Sequence, residues 1–403
     1  MSEDLGRPSI IMGVTGGIAA AKSTLLASRL NKAGFDVHVI MTRAACEFVT
    51  PLTFRSLTGN KVVTDMFEEP DEWDVRHVSL ARKAKLAVIC PATANFIGKA
   101  ANGIADDMLT TTLMASRCPV VVAPAMNDAM WANPVLQANV VKLRGLGYHF
   151  AGPVAGRLAC GTEGIGRMAE PDAIFDVVRH VYYSIGRPAL KGVNVLISAG
   201  PTQEPMDPIR YIANRSSGKM GYSIASAAAA RGASVRMVSG PTSLPDPLNV
   251  EVDRVETAEE MLRALKAGYG KCDVFIATAA VADYRVKDFS ERKLKRAKGE
   301  EKALQLVENP DILGELSAIK GSRTMVGFAA ETDDAIESAL GKYSRKGLDM
   351  IVVNEVGENN QPFGSEDNLV SIITGPDEIE SLPRMNKAEL SHVILDRVAK
   401  LRD

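Results

Sequence analysis

Short runs of almost wholly apolar residues alternate with longer helix-like segments along most of the chain, and few folds are compatible with this alternation. Runs that are apolar at nearly every position fit strands buried on both faces, as in a parallel sheet covered by helices. Helical patterns cover 18–33 and 133–146. The first half is therefore predicted to be built from βαβ units. Its strand-like runs are IIMGV (10–14), VHVIM (37–41), LAVIC (86–90) and PVVVA (119–123).

The same alternation starts again after SIGRPALKG (184–192), which carries a proline and two glycines and is typical of a linker. We predict an α/β protein of two Rossmann-like domains, 1–183 and 193–403, each a mainly parallel sheet flanked by helices. Residues 375–403 are predicted to form a turn and a terminal amphipathic helix, to which no role is assigned. The strand-like runs of the second half are NVLIS (194–198), VRMVS (235–239), VFIAT (274–278), VGFAAET (326–332) and MIVVN (350–354).

Composition narrows the possible partners and compartment. The 403 residues are 46% hydrophobic and 24% charged, which is enough to bury a sizeable core. The net charge of -2 argues against nucleic acid or an anionic membrane as a partner. No signal peptide or membrane span is expected from the sequence. The five scattered cysteines form no C-x-x-C pair, which favours a reducing cytoplasm.

A glycine-rich turn, GVTGGIAA (13–20), follows the first predicted strand. Backbone N–H groups at a helix start favour anions, so a cofactor phosphate could dock at Gly16 and Gly17. The spacing is not G-x-G-x-x-G, and Ala21 stands where a P-loop needs its second glycine. The residues alone leave two interpretations open: a phosphate site, or a tight turn for helix–sheet packing.

Polar and small residues follow two further strands, in CPATANFIGKAANGIADDM (90–108) and APAMN (123–127). The carboxyl ends of parallel strands meet at one sheet edge, where α/β proteins bind ligands. A single asparagine at a strand end is more often a helix cap. Several such residues at one edge favour a ligand site.

One cysteine, Cys160, lies among four glycines in GRLACGTEGIGRM (156–168). A structural cysteine belongs in a packed interior, whereas four glycines in a short run indicate an adaptable loop. The other cysteines, Cys46, Cys90, Cys118 and Cys272, have no such context and are interpreted as packing residues.

The motifs of the first half, together with MTRAA (41–45) and RHVSLARKA around His77, resemble the flavin-dependent cysteine decarboxylases over about 10–181. They are most similar to the decarboxylase half of the bifunctional phosphopantothenoylcysteine decarboxylase / phosphopantothenate–cysteine ligase family of coenzyme A synthesis. The resemblance implies that His77 and Asn127 face the substrate and that Cys160 is the proton donor. It also implies FMN bound by Gly16, Gly17, Thr42, Thr93, Asn95 and Asp106.

The implied chemistry fits these residue types. Loss of CO₂ from a cysteine carboxylate needs an electron sink, which oxidation of the thiol-bearing carbon by FMN provides. The product must then be protonated at carbon, in a site sealed from water. A thiol on a loop that opens for substrate and closes for chemistry provides that proton, which explains the glycines around Cys160.

Two stretches of the second half carry groups suited to phosphates and carboxylates. SAGPTQEPMDPIRYIANRSSGKMG (198–221) leaves a strand end and enters a helix, for which Ser216 or Ser217 could simply be the N-cap. ATAAVADYRVKDFSERKLKRAKGE (277–300) holds a strand-end aspartate and a basic cluster, although such a charge run is usually a solvated surface. VENPDILGEL (307–316) predicts a helix start at 309–311. Lys342 and Lys346, four residues apart, share one helix face.

These stretches resemble the ligase half of the same family over about 191–374. The resemblance implies that CTP activates a carboxylate and that Asn214 and Lys293 act on that carboxylate, with Arg210 nearby. One departure is Arg296, an arginine at the last position of KLKR. The implied nucleotide-binding residues are Ala279, Ala280, Asp283, Asn309, Pro310, Asp311, Ile312 and Phe328, with Lys342 and Lys346 near the phosphates.

The predicted function has two steps. The C-terminal domain joins 4'-phosphopantothenate to L-cysteine through an acyl-cytidylate, with Mg²⁺ and lysines neutralising the phosphates of CTP. The N-terminal domain decarboxylates that product to 4'-phosphopantetheine with FMN. The resemblance further implies a homo-oligomer, a dodecamer of decarboxylase trimers and ligase dimers. Two alternatives are a peptide-cysteine decarboxylase with an unrelated second domain, and a flavin-binding regulatory subunit.

Overall fold

Two α/β sheets, one in each half of the chain, organise the computed structural model. It describes residues 7–66, 76–158, 161–294, 303–331, 334–355 and 364–402. The chain divides into two units, 1–182 and 183–403. The predicted fold class, two mainly parallel sheets flanked by helices, is confirmed.

The first unit alternates strands and helices in chain order. These are β1 (Ser9–Val14), α1 (Ala20–Lys32), β2 (Asp36–Met41), α2 (Arg43–Cys46), α3 (Pro51–Thr58), α4 (Arg76–Lys83), β3 (Leu86–Ala92), α5 (Ala94–Asn102), α6 (Met108–Ala115), β4 (Val120–Pro124), α7 (Asp128–Ala132), α8 (Pro134–Gly145), β5 (His149–Phe150), β6 (Val154–Arg157), β7 (Glu163–Arg167) and α9 (Pro171–Ser184).

The five-stranded sheet of this unit has the order β2-β1-β3-β4-β5, and every pair is parallel. All four predicted strand runs lie in it, because apolar residues on both faces are covered by helices on both sides. In β3 every residue is buried. All carboxyl ends therefore lie at one edge, and β6 and β7 form an antiparallel hairpin after the sheet.

The second unit is built in the same manner and adds several short strands. Its elements are β8 (Asn194–Ala199), β9 (Gln203–Pro205), β10 (Tyr211–Ala213), α10 (Lys219–Ala230), β11 (Ser234–Ser239), β12 (Glu251–Arg254), α11 (Ala258–Tyr269), β13 (Val274–Ala277), β14 (Tyr284–Val286), β15 (Leu306–Glu308), α12 (Ile312–Ser317), β16 (Thr324–Glu331), α13 (Ala335–Arg345), β17 (Met350–Glu355), β18 (Asp367–Asn368), β19 (Ser371–Gly375), β20 (Glu378–Ser381), β21 (Met385–Asn386) and α14 (Lys387–Lys400).

Its eight-stranded sheet has the order β12-β11-β8-β13-β16-β17-β19-β20, parallel up to β17 and antiparallel beyond it. Alternate residues of each strand face opposite sides. Val352 and its neighbours pack with α10 and α14 on one face. Ile351 and Val353 pack with α11, α12 and α13 on the other. The sheet therefore has two buried faces and a carboxyl edge that runs between them.

Two sequence predictions need correction here. The serines before α10 do not cap it. Its N-cap is Gly218, in the left-handed region at φ 75°, and Ser216 Oγ accepts a hydrogen bond from the Gly218 N–H at 3.2 Å. The helix predicted over 18–33 begins later, at Ala20. Among the described residues, no helix combines the length and the apolar character needed to cross a membrane.

Candidate active sites

The two glycines of the first turn are glycines for different reasons. A Cβ on Gly16 would lie 2.4 Å from the Ala44 Cβ, so this residue allows α2 to approach the turn. A Cβ on Gly17 would meet only the Thr93 Cγ2, at 3.8 Å. The protein's own atoms therefore require glycine at 16 and leave room at 17. Space beside backbone N–H groups at a helix start fits a phosphate-bearing cofactor.

Threonines join the strand ends that border this turn. Thr15 Oγ1 donates to the Pro91 carbonyl oxygen at 2.8 Å and accepts from the Thr93 N–H at 3.1 Å. Thr42 follows β2 and accepts from the Ala45 N–H at 3.3 Å, which caps α2. The structure thus brings Gly16, Gly17, Thr42 and Thr93 to the carboxyl edge of one sheet.

Asn127 lies three residues after the end of β4 and caps α7. Its Oδ1 accepts a hydrogen bond from the Ala129 N–H at 2.9 Å, which fixes the orientation of the amide. The β7 strand runs beside it, and the Met126 N–H donates to the Gly166 carbonyl oxygen at 2.9 Å. A Cβ on Gly166 would lie 2.4 Å from the Met126 oxygen. Glycine at this position lets the hairpin reach the ligand edge.

Three of the residues predicted to bind FMN or substrate lie near the first turns of helices. His77 is the second residue of α4, and α4 packs against α6. Both helices lead into parallel strands, so they begin on the carboxyl side of the sheet. Asp106 lies just before α6 and pairs with Lys99 Nζ at 2.8 Å, which lowers the pKa of this carboxyl. Asn95 is exposed in the first turn of α5.

The predicted proton donor, Cys160, lies outside the described residues. The Leu158 N–H donates to the Thr162 carbonyl oxygen at 2.8 Å, which extends the contact between the β6 and β7 segments. Cys90 is fully buried, and burial raises the pKa of its thiol to about 12. Burial likewise raises the pKa of the Cys272 thiol to about 11. Such thiols are protonated packing groups, as predicted for them.

A cavity of about 970 Å³ opens at the carboxyl edge of the second sheet. It crosses the ends of β13, β16 and β17 and reaches helices on both faces. Eleven of the predicted ligase residues line it: Asn214, Ala279, Ala280, Asp283, Asn309, Pro310, Asp311, Ile312, Phe328, Lys342 and Lys346.

Hydrogen bonds fix the wall that follows β13. The Ala279 N–H donates to Ser198 Oγ at 3.3 Å, and the Ala280 N–H donates to the Gly200 carbonyl oxygen at 2.9 Å. These donors are already used inside the protein. If a nucleotide base contacts the backbone of Ala279 and Ala280, it would therefore contact their carbonyl oxygens.

Two asparagines brace the same loop from opposite sides. Asn214 Nδ2 donates to the Val281 carbonyl oxygen, and Asn309 Nδ2 donates to that of Ala282, each at 2.8 Å. The Asn309 N–H donates to the Asp283 carbonyl oxygen at 2.8 Å. The loop is thereby held rigidly at the cavity wall.

The two lysines predicted near phosphates are held by carboxylates. Lys342 pairs with Glu331, and Lys346 pairs with Asp311. Asp311 also caps α12 by accepting from the Gly314 N–H at 3.0 Å. Both lysines line the cavity, each with its charge partly balanced by a neighbour.

Arg210 and Lys293 are not among the residues that line this cavity. Arg210 Nε donates to the buried Asp207 Oδ2 at 3.0 Å, and its Nη2 donates to the Leu294 carbonyl oxygen at 2.7 Å. The hydrogen bonds from Arg210 hold the pKa of Asp207 well below its usual range. Lys293 is exposed beside this cluster. The rest of the basic run, 295–300, lies outside the described residues.

The cavity residues that sequence reasoning missed include Asn354, Asn368 and Lys387. Asn354 is the second-to-last residue of β17, and its buried Oδ1 has no hydrogen-bond partner among the described residues. Lys387 starts the terminal helix α14 and is only 6% exposed. No local motif marks these residues, because each one reaches the cavity only when segments that are distant in the sequence pack together.

Comparison with known families follows the division into two units. Residues 1–182 match the family model described as Flavoprotein. Residues 190–401 match the model described as DNA/pantothenate metabolism flavoprotein C-terminal domain. The chain is thus a flavoprotein domain followed by a pantothenate-metabolism domain, and the alternative with an unrelated second domain is wrong.

Curated relatives match along the whole chain. The coenzyme A biosynthesis bifunctional protein CoaBC of Bacillus subtilis (strain 168) is 43% identical over 398 residues, covering 98% of each chain. That of Escherichia coli (strain K12) is 41% identical over 402 residues, covering 99% of this chain and 98% of the relative. The chain belongs to this CoaBC family. It is a bifunctional enzyme of coenzyme A biosynthesis, which confirms the resemblance.

Solved structures match each half separately. A crystal structure of the C-terminal domain of a CoaBC protein is 39% identical, with a TM-score of 0.45, covering 53% of this chain and 96% of that chain. A mutant PPC decarboxylase complexed with pantothenoylaminoethenethiol is 32% identical, with a TM-score of 0.39, covering 43% of this chain and 97% of that chain.

Proposed function

We propose that the second unit joins 4'-phosphopantothenate to L-cysteine at the expense of CTP, and that the first unit decarboxylates the product with FMN. The observation that carries this proposal is the cavity of about 970 Å³ at one sheet edge, which is lined by the predicted ligase residues other than Arg210 and Lys293. Its volume is at the upper end of the usual range for small-molecule sites, so it suits two substrates at once.

In the ligase step, the carboxylate of 4'-phosphopantothenate attacks the α-phosphorus of CTP, and pyrophosphate leaves. The cysteine amine then displaces CMP from the acyl-cytidylate. Six basic and three acidic residues line the cavity, so it favours the triphosphate. The braced loop 279–283 would hold the base through its backbone, next to the Phe328 ring.

Mg²⁺ would enter with the nucleotide. This ion is usually held by phosphates and one or two carboxylates. Asp283, Glu308 and Asp311 line the cavity and are of the right ligand type. Among the described residues, no group of three or more metal-binding side chains forms a preformed site. The absence of a preformed site among these residues is compatible with Mg²⁺ that binds together with CTP.

In the decarboxylase step, FMN would be held at the glycine turn, where the room beside Gly17 fits a phosphate, and by Thr42, Thr93, Asn95 and Asp106. When bound, FMN supplies reversible hydride acceptance at the thiol-bearing carbon. His77 and Asn127 would orient the substrate, Asn127 through an amide fixed by its cap to α7. Cys160 would protonate the product carbon when the loop that carries it closes over the substrate.

We also propose the predicted assembly, a dodecamer of decarboxylase trimers and ligase dimers in the cytoplasm. Exposed apolar side chains on the first unit support an interface there, since Ile18, Leu25 and Leu52 are each more than 60% exposed. Light scattering on the purified chain should give a particle of twelve 43.1 kDa subunits. A monomer would rule this assembly out.

The ligase half of the proposal is tested by pyrophosphate release from the full chain. Release should require CTP, 4'-phosphopantothenate and cysteine together, and ATP should replace CTP poorly. Release that continues without 4'-phosphopantothenate would count against the proposed reaction. An absorption spectrum of the same preparation tests the other half, because bound FMN colours the protein yellow.

A further inference from the structure

We propose that Arg285, which is not among the residues that line the ligase cavity, positions the part of the cavity wall that would hold the nucleotide. The inference rests on the proposed ligase function. Arg285 is the middle residue of β14. It lines a neighbouring groove of about 630 Å³, and residues 308–310 border both that groove and the cavity. Arg285 is therefore a positioning residue, which acts through the shared wall.

One guanidinium nitrogen of Arg285 holds two successive residues of the shared wall. Arg285 Nη1 donates to the Glu308 carbonyl oxygen at 2.7 Å and to Asn309 Oδ1 at 3.1 Å. This nitrogen carries two hydrogens, so it can serve both acceptors at once. Hydrogen bonds from a charged donor are stronger than those from a neutral one. Arg285 thus fixes the backbone of Glu308 and the side chain of Asn309.

The bond to Oδ1 sets the direction in which the Asn309 amide faces. With its oxygen on Arg285, the amide donates through Nδ2 to the Ala282 carbonyl oxygen at 2.8 Å. The reversed amide would place its NH₂ group against the guanidinium hydrogens and its oxygen against that carbonyl, so both hydrogen bonds would be lost. The contact between Asn309 and Ala282 therefore depends on Arg285.

The oriented asparagine supports the loop 279–283, which follows β13 and carries the predicted contacts to the base. The Asn309 N–H donates to the Asp283 carbonyl oxygen at 2.8 Å. Together with the bond to Ala282, Asn309 holds two consecutive carbonyl groups of this loop. Catalytic and binding groups are effective only when neighbouring residues keep them in place. Loss of the amide orientation should therefore weaken nucleotide binding.

Arg285 is also held from the side of α11. Its Nη2 lies 3.3 Å from Oε1 of Glu259, which belongs to the first turn of that helix. The Glu259 side chain is 63% exposed, so this ion pair contributes little stability by itself. Arg285 is half-buried and reaches from α11 to the shared wall. Its two hydrogen bonds to that wall are the contacts that the proposal concerns.

The first test compares Arg285→Met with Arg263→Met, by pyrophosphate release from the full chain. Arg263 is an exposed arginine of α11 that lines the same groove, so it is the matched control. We expect Arg285→Met to raise the KM for CTP about tenfold, as for loss of a charge-assisted hydrogen bond, and to leave the KM for cysteine nearly unchanged. Arg263→Met should leave both KM values unchanged.

A double-variant cycle with Asn309→Ala separates positioning from a general loss of stability. If Arg285 acts through the Asn309 amide, adding Arg285→Met to Asn309→Ala should raise the KM for CTP by less than about twofold more. Arg285→Lys keeps the charge without the planar fork, so its KM for CTP should lie between those of the wild type and Arg285→Met. This variant replaces Arg285→Met in the cycle if Arg285→Met does not fold.

Two results would overturn the inference. One is an unchanged KM for CTP in Arg285→Met, with or without a lower kcat, which would mean that Arg285 only stabilises the pairing of β14 with β15. The other is an equal rise in the KM for CTP whether or not the Asn309 amide is present. Failure of the proposed function looks different, because the wild-type chain would then release no pyrophosphate.

Discussion

At the scale of single residues, a glycine can serve packing or a ligand, and the structure separates the two. Gly16 is pressed against α2, whereas Gly17 has open space beside it. Packing therefore explains Gly16, whereas the phosphate site at Gly17 stays a prediction for which the turn leaves room. Because the contact with Ala44 forms only after β1 and β2 pair, the sequence pattern could not distinguish them.

Gly16→Ala should lower the stability of the flavin-free protein by about 1–3 kcal/mol, the usual cost of overpacking. Gly17→Ala should leave that stability nearly unchanged and weaken FMN binding at least tenfold, because the new methyl group occupies the proposed phosphate space. Thermal unfolding and flavin titration of both variants measure this. If Gly17→Ala binds FMN as tightly as the wild type, the turn serves packing only.

Lys387 also predicts a pH dependence of stability. Its pKa falls from 10.5 to about 8 on folding, through burial and Lys219 and against Glu366 and Asp367. Between these values the unfolded chain binds more protons, so stability rises with pH. The free energy of unfolding of the wild type, relative to Lys387→Met, should therefore be greater at pH 10 than at pH 7. A difference that does not change with pH would contradict this burial.

The candidate sites were predictable where they follow strand ends and unpredictable elsewhere. Ala279 and Phe328 lie at the ends of apolar runs that mark strands, so their meeting at one edge follows from the parallel pairing of β13 and β16. Lys387 was missed because it lies in a segment without a motif and its neighbour Lys219 is far away along the chain. The predicted roles of Arg210 and Lys293 remain predictions, and neither side chain lines the cavity of this chain.

At the scale of elements, the terminal helix α14 is held to α10 by a buried ion pair. Arg231 Nη2 lies 2.8 Å from Asp396 Oδ1, and the arginine side chain is 1% exposed. Arg187 also pairs with Asp396. The helix that carries Lys387 into the cavity thus depends on one carboxylate shared by two arginines.

Asp396→Asn should destabilise the second unit by about 3 kcal/mol, because it leaves Arg231 buried without a counter-charge. Glu380→Gln is the control, since it removes the partner of the more exposed Arg397 of the same helix and should cost about 0.5 kcal/mol. Chemical denaturation measures both. Equal effects would mean that the buried pair contributes no more than a surface one.

The regular elements were largely predictable, and the short ones were not. Every run that was predicted to be a strand is a strand. Strands that are buried on both faces of a parallel sheet are rich in apolar β-branched residues, so the sequence pattern identifies them. Pairs such as β9–β10 and β14–β15 have three residues each and mixed polarity. These short pairs depend on contacts with neighbouring loops. A local sequence pattern does not predict such contacts. The terminal helix was expected, but β20 and β21 before it were not.

At the scale of the whole molecule, the chain joins two sheets with separate proposed chemistries. Cys160→Ser should leave pyrophosphate release unchanged and stop the pathway at 4'-phosphopantothenoylcysteine or an oxidised product of it. Asn214→Ala should do the reverse, slowing the ligase at least tenfold while supplied 4'-phosphopantothenoylcysteine is still decarboxylated. Chromatography of the products identifies each block. Loss of both activities in either variant would show that the two sites depend on each other.

One chain is proposed to make the cysteine conjugate and then to decarboxylate it. The most direct test is release of labelled CO₂ from carboxyl-labelled L-cysteine by the purified full chain. With CTP and 4'-phosphopantothenate present, labelled CO₂ should appear in step with pyrophosphate, and omitting either substrate should abolish it. Labelled CO₂ that forms without CTP, or pyrophosphate release with no labelled CO₂, would contradict this order of two steps on one chain.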